Sequence, residues 1–245
     1  MKAFILAGGK GTRFLEETNV RPKPMIEING KPIILHIIDH YVYYGIKEFF
    51  ILGGYKIDYF FEYFESQKLK KDNEFFYLDG EVKINILDTG INTATGGRIK
   101  RAEEYLDETF LMTYGDGLSN VNINKLVEFH DRHNKLATVT AVRPPARFGS
   151  LTIENDIVID FGEKIQSKEG WINGGFFVLD KKVVDFIEND ETAFEDYPLE
   201  NLSKTLNLQG FKHEGFWYPV DTIREKQTLE KFINENNGML PWSND

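Results

Sequence analysis

The sequence predicts an α/β fold, built on a mostly parallel sheet with helices on both faces, and three observations predict it. Strand-like and helix-like segments alternate from Lys2 to His133, the pattern that joins parallel strands through helical crossovers. The first apolar segment runs directly into a glycine loop, as strands do at the carboxyl edge of such sheets. After Leu136 the pattern turns β-rich, which adds a smaller β region to the parallel core.

The elements follow in order. Lys2 to Leu6 is a short apolar run ending in glycines, the mark of a buried parallel strand. Lys31 to Tyr44 places Ile34, Ile37, Ile38, Tyr41 and Val42 at helical spacing, with Pro32 in the first turn and Gly45 as the stop. Glu48 to Leu52 is a second strand and Ile57 to Phe64 a second helix, followed by a polar surface segment, SQKLKKDNE. Phe75–Leu78 and Val82–Leu87 read as strands, Arg98–Tyr105 as a helix, and TFLMTYGDG as a strand running into a turn. Asn122 to His133 is amphipathic, with Ile123, Leu126, Val127 and His130 on one face. Beyond it, ATVTAV, LTIENDIVID and INGGFFVL are β-rich, and Asn155-Asp156 suggests a tight hairpin. Lys181–Ile187, Pro198–Leu206 and Thr222–Asn236 are helical, the last long and amphipathic. No linker or repeat divides the chain, so residues 1–245 read as one domain, with 1–135 mainly nucleotide-binding and 136–245 mainly acceptor-binding.

Composition excludes several classes. A net charge of -10 on 245 residues argues against nucleic-acid binding, which relies on clustered cations. The absence of cysteine rules out disulfides and thiolate metal sites. No apolar run approaches the roughly 20 residues that span a bilayer, and no secretory signal opens the chain. The expectation is a cytoplasmic protein without a membrane partner. The histidines, four of them on helices, need no catalytic role.

Four segments carry the chemistry. In LAGGKGTR, Gly8, Gly9 and Gly11 follow the first strand, so bare backbone N–H groups can face an anion; Thr12 adds a hydroxyl and Arg13 a planar cation. The loop suits a polyphosphate, although a plain strand-to-helix turn has the same look. It matches neither the P-loop signature nor Gly-x-Gly-x-x-Gly, since residue 14 is Phe. Lys23 stands between Pro22 and Pro24, a stiff arm for a preset cation or a solvated surface lysine. In TYGDG an apolar strand delivers Asp116 between two glycines, as a Mg²⁺ ligand beside phosphates or as a turn aspartate. Asp221, after GFWYPV, opens a helix; alone it reads as an N-cap, and with Asp116 it completes the one or two carboxylates that Mg²⁺ usually takes.

Together these strings resemble the sugar-phosphate nucleotidyltransferases that make activated sugars. LAGGKGTR and RPKPMIEINGKPI match the broad family, while TGGRIKR, PPARFG and GFWYPVDTIR resemble its cytidylyl branch, which acts on glucose 1-phosphate. The matches run in order along nearly the whole chain. The resemblance implies a Rossmann-like three-layer α/β/α fold with a smaller β-rich acceptor region. It implies that CTP and glucose 1-phosphate give CDP-glucose and pyrophosphate. Leu6, Ala7, Gly8, Gly9, Gly11, Thr12 and Arg13 would hold the triphosphate, and Lys23 the α-phosphate region. Thr93, Gly96 and Arg98 would surround base and ribose, with Gly115 beside the nucleotide, and Asp116 and Asp221 would bind Mg²⁺. Glu163, Lys164, Asn173 and Gly174 would line the acceptor pocket, with Arg13, Lys23 and Lys164 supplying catalytic charge. A homo-oligomer is compatible with the family.

The sequence departs from the family pattern at Ile165, where the family has proline after Glu163-Lys164, at Ala146 within PPARFG, and in a shorter stretch from Glu65 to Leu87. The first of these lies on the acceptor side. At this point the acceptor stays open to another sugar phosphate, or to a phosphorylated non-sugar such as an amino-acid or polyol phosphate.

Overall fold

A computed structural model describes residues 1–144, 150–154, 157–162 and 170–243. Strand β1, Ala3–Leu6, is buried at all four positions. The glycine loop then closes through a 3-10 turn at Thr12–Phe14 into a single helical turn, α1, Leu15–Thr18. A second 3-10 turn, Lys23–Met25, leads into β2 (Glu27–Ile28) and β3 (Lys31–Pro32), a ribbon whose turn residues Asn29 and Gly30 both have positive φ, as tight hairpin turns require. Because that ribbon reaches Pro32, helix α2 spans Ile33–Tyr43 and the proline precedes it instead of sitting in its first turn.

Strand β4 (Glu48–Gly53) and α3 (Ile57–Ser66) follow. The polar stretch after α3 holds an unexpected element: Lys70–Asp72 forms β5, fully exposed and paired with β6 (Phe75–Leu78). Charged side chains are what an outermost strand carries to discourage pairing with another chain, so the composition of a loop and of an edge strand coincide here. Next come β7 (Val82–Asp88), α4 (Thr95–Arg101) and a 3-10 turn at Glu103–Tyr105. The expected helix over 98–105 therefore starts earlier and ends in a tighter turn. Strands β8 (Thr109–Tyr114) and β9 (Gly117–Ser119) precede α5 (Ile123–Asp131), which Asn122 caps by accepting the Lys125 backbone N–H at 2.9 Å.

The second half contains β10 (Ala137–Val142), the antiparallel pair β11 (Ser150–Glu154) and β12 (Ile157–Gly162), and β13 (Ile172–Asp180). The pairing agrees with the hairpin expected at Asn155-Asp156, and those two residues lie outside the described ones. A 3-10 turn at Lys181–Phe186, α6 (Tyr197–Lys204), β14 (Leu208–His213), β15 (Trp217–Pro219) and α7 (Ile223–Glu235) complete the chain.

Nine strands form one sheet in the order β14-β10-β13-β8-β1-β4-β7-β6-β5. Its centre, β8-β1-β4-β7, is parallel throughout, and within this sheet β13 and β6 alone run against the others. The mostly parallel sheet is thus borne out in strand direction. Alternation along β1 explains the layers: Ala3 and Ile5 join a core with α2, α3 and α7, while Phe4 and Leu6 join another with α4 and α6. On that second face Phe4 stacks on Phe50 with ring centroids 4.9 Å apart. The result is the expected three-layer α/β/α arrangement, with the carboxyl ends of β1 and β8 opening side by side.

Candidate active site

The loop after β1 is shaped by close approach from below. Gly11 has φ +61, and a Cβ there would stand 2.7 Å from the Thr18 methyl group, so both conformation and space call for glycine. A Cβ on Gly8 would overlap the Arg98 guanidinium. Among the described residues, the N–H groups of Gly8, Gly9 and Gly11 meet no backbone acceptor. They remain available to an anion.

Arg98 lines the cavity and is held from behind. It is buried, and its guanidinium donates to the carbonyls of Gly53 (2.8 Å), Gly90 (2.8 Å) and Gly8 (2.9 Å) and to the Thr89 hydroxyl (2.7 Å). Burial pulls its pKa down to about 10, helped by Arg101, which still leaves it charged at neutral pH. The side chain ties three loops together under the glycine turn. Gly96 is not on the cavity wall, and a Cβ there would lie 2.6 Å from the Thr192 carbonyl. That glycine lets α4 pack closely against the segment before α6.

The charged centre lies at the mouth of the loop. Lys23, 8% exposed, donates to Asp116 Oδ2 at 2.7 Å and to Asp221 Oδ1, while Arg13 donates to Asp221 Oδ2 at 2.8 Å. Strands β9 and β15 pair, with Pro219 opposite Gly117, and the Val220 N–H donates to the Asp116 carbonyl at 2.9 Å. This ribbon brings the two aspartates together. Asp221 is not the helix cap: Thr222 accepts the Glu225 N–H at 3.2 Å, and Glu225 reaches back to the Asp221 N–H at 2.9 Å, a capping-box pattern displaced by one residue. The Asp221 carboxylate is therefore free to serve the site.

Two carboxylates meeting one cationic atom fit a hard divalent ion. Among the described residues no group of three or more metal-ligating side chains forms, so oxygens of a ligand phosphate and water would complete such a coordination shell.

A cavity of about 530 Å³ joins these parts. Leu6, Ala7, Gly8, Gly9, Gly11, Thr12, Arg13, Lys23, Thr93, Arg98, Gly115 and Asp116, all singled out in the sequence, line it. Sequence reasoning missed Pro24, Ala94, Thr95, Tyr114, Ala193 and Glu195 on the same wall. Pro24, Ala94, Thr95 and Tyr114 adjoin the motif residues and could have been found by adjacency. Ala193 and Glu195 come from a segment with no motif of its own.

On the acceptor side, Asn173 donates to the Tyr114 hydroxyl at 3.1 Å and accepts the Gly175 N–H at 2.8 Å. Gly174 receives the Trp217 indole N–H at 2.7 Å on its carbonyl. Here β13 carries two extra residues, because Val139 pairs with Phe177 but Ala141 pairs with Asn173. Such bulges re-aim side chains beside active sites. Neither Asn173 nor Gly174 lines the cavity itself. Glu163, Lys164 and Ala146 lie outside the described residues.

Comparison with known proteins agrees with this arrangement. Residues 2–231 match the model of a family described as nucleotidyl transferase. A glucose-1-phosphate cytidylyltransferase from Salmonella typhi is 45% identical over 255 aligned residues, covering 99% of this chain and 98% of the relative. A probable glucose-1-phosphate cytidylyltransferase from Bacillus subtilis is 46% identical, covering 99% of each. Among solved structures, HddC from Yersinia pseudotuberculosis complexed with GMP-PN superposes with a TM-score of 0.69 at 27% identity, covering 94% of this chain and 99% of that one.

Proposed function

We infer the reaction from one premise: the chain belongs to the nucleotidyl transferase family. The protein transfers the CMP unit of CTP to a phosphorylated acceptor, glucose 1-phosphate, giving CDP-glucose and releasing pyrophosphate. The observation that carries nucleotidyl transfer is the meeting of Lys23 with Asp116 and Asp221 beside the glycine loop. Similarity along the whole chain to the cytidylyltransferases of Salmonella and Bacillus supports the base and the sugar.

In this reading an oxygen of the acceptor phosphate bonds to the α-phosphorus of CTP as the bond to the bridging oxygen of pyrophosphate breaks. The nucleophile is already an anion, so no general base is required. The barrier lies in bringing anions together and in the charge left on pyrophosphate, and preset cations and N–H donors lower both contributions. The loop from Leu6 to Thr12 wraps the triphosphate, Arg13 meets the departing pyrophosphate, and Lys23 meets the α-phosphate. Thr93 and Gly115 flank base and ribose, while Arg98 steadies the loop from beneath. Asn173, Gly174, Glu163 and Lys164 face the acceptor. Asp116 and Asp221 hold Mg²⁺, which when bound supplies positive charge against the phosphates. Residues 1–245 act as one domain, in the cytoplasm where CTP is available, and association into a homo-oligomer is part of the same reading.

The test is pyrophosphate release with Mg²⁺ across CTP, UTP and dTTP and across a panel of phosphorylated acceptors. CTP with glucose 1-phosphate is expected to give the highest kcat/KM. A preference for dTTP, or turnover confined to a non-sugar phosphate, overturns the assignment.

A further inference from the structure

The wall that carries α4 and α6 holds an acid that the scheme above leaves idle. Glu195 lines the cavity from the segment just before α6. Its Oε2 accepts the Thr95 hydroxyl, and the Tyr114 phenol shares the cavity wall with it. The Tyr114 oxygen in turn accepts from Asn173 at 3.1 Å. Burial, then the nearby Glu195 charge, pushes the Tyr114 phenol well above its usual range, so it stays a hydrogen donor. Two bonded pairs, Thr95 with Glu195 and Asn173 with Tyr114, thus run from this wall to the bulge in β13.

A carboxylate only accepts, and it offers about four lone-pair sites. The Thr95 hydroxyl takes one of these, which leaves Glu195, exposed on the cavity wall, with acceptor capacity for a ligand. Among the described residues, no lysine or arginine forms an ion pair with it, in contrast to Asp116 and Asp221. An uncompensated negative charge in a cavity for phosphates would oppose binding unless it faced a part of the ligand that donates hydrogen. The phosphates belong at the cationic end, with Arg13 and Lys23. The remainder of the acceptor extends toward Asn173, and so along Tyr114 and Glu195.

We propose that Glu195 selects the acceptor by its hydroxyl-bearing end: the carboxylate, set in place by Thr95, accepts a hydrogen bond from one acceptor hydroxyl. This rests on the reaction proposed above. A site built to bond a hydroxyl discriminates strongly against the analogue that lacks it, and the charge also disfavours an acceptor with a second anion at its far end.

The variants Glu195→Gln and Glu195→Ala test it, with glucose 1-phosphate and its monodeoxy analogues as acceptors. The segment stays anchored without the carboxylate, through Ala94 N–H to the Asp190 carbonyl (2.7 Å), Gly97 N–H to the Thr192 carbonyl (3.2 Å) and Phe194 N–H to Thr95 Oγ1 (2.8 Å). Glu195→Ala should raise the KM for glucose 1-phosphate about tenfold or more, the scale of one charge-assisted hydrogen bond, while the KM for CTP stays within about twofold. One monodeoxy analogue, poor with the unaltered protein, should lose its disadvantage on Glu195→Ala, and Glu195→Gln should fall between. A rise in the KM for CTP in place of the acceptor's, or no change in either, overturns the proposal. Absence of any sugar-phosphate turnover by the unaltered protein instead overturns the reaction itself, and that is seen before any variant is made.

Discussion

Lys23 Nζ stands 2.7 Å from Asp116 Oδ2 although 93 residues separate the two in sequence. The contact pins a cation from the nucleotide loop to an acid at the end of β8, and Asp221 closes the same group from the far end of the chain. Without a ligand, lysine and arginine neutralise the acids. In the proposed reaction the same groups would be divided between phosphates and metal.

Replacing Lys23 by Ala should lower kcat by about 10²–10³, the usual consequence of losing one preset charge at a reacting centre. Its circular dichroism should stay native-like. Near-normal turnover with CTP would remove Lys23 from the mechanism.

Asp221 and Thr222 separate two roles that adjoin in sequence. Asp221→Asn should raise the Mg²⁺ concentration needed for half-maximal activity and leave the helix cap intact. Thr222→Ala should cost about 1 kcal/mol of stability, as capping residues do, with much less effect on the metal requirement. Paired metal titrations and denaturant melts distinguish them. If Asp221→Asn proved to be only a stability variant, its proposed part in metal binding would fall.

Arg98→Met should be damaging without touching the reacting atoms. It removes the guanidinium donor from the carbonyls of Gly8, Gly53 and Gly90; Gly8 and Gly53 keep the Tyr55 and Thr89 N–H groups, while the Gly90 carbonyl loses its donor, and a buried unsatisfied group costs about 1–3 kcal/mol. The expected result is a lower Tm together with a higher KM for CTP, because the glycine loop loses its support. An unchanged Tm would show that the clamp contributes nothing.

Stability should also decline in mild acid through His40. The residue is buried, donates to the Val121 carbonyl at 2.8 Å, and has its pKa lowered from 6.5 to about 4, chiefly by desolvation. The unfolded chain therefore binds a proton that the folded chain resists. The contribution is fully present above pH 6.5 and is lost as pH falls toward 4, with a total near 3 kcal/mol at most (about 1.4 kcal/mol per pKa unit). Denaturant melts at pH 7 and pH 5 measure it, and Glu or Asp titration is separated by comparison with His40→Gln, whose profile should be flatter. Equal slopes in the two proteins would exclude His40 as the source.

Much of this architecture is legible in the residues because local physics decides it. Parallel strands buried on both faces read as continuous apolar runs, as Ala3–Leu6 and Phe49–Leu52 do. The glycine loop, Lys23 and Asp116 announce themselves through rare local chemistry. The misses arise where tertiary contacts choose between equal local readings. Lys70–Asp72 looks like a loop until Phe75–Leu78 offers it a partner. Asp221 and Thr222 are equally good caps by composition, and the ribbon between β9 and β15 settles which one turns toward the site. Arg98 lines the cavity and is also a clamp that no local signal announces, its guanidinium held by backbone oxygens from three separate loops. Glu195 carries no local mark at all, since its relevance comes from where α6 packs.

The ribbon of Gly117–Ser119 with Trp217–Pro219 has one more consequence. It sets the separation of the two aspartates by backbone pairing a few residues from each, whatever the long excursion between Asn120 and Phe216 contains. Changes confined to the surface loops of that excursion should therefore leave the spacing of Asp116 and Asp221 unaltered.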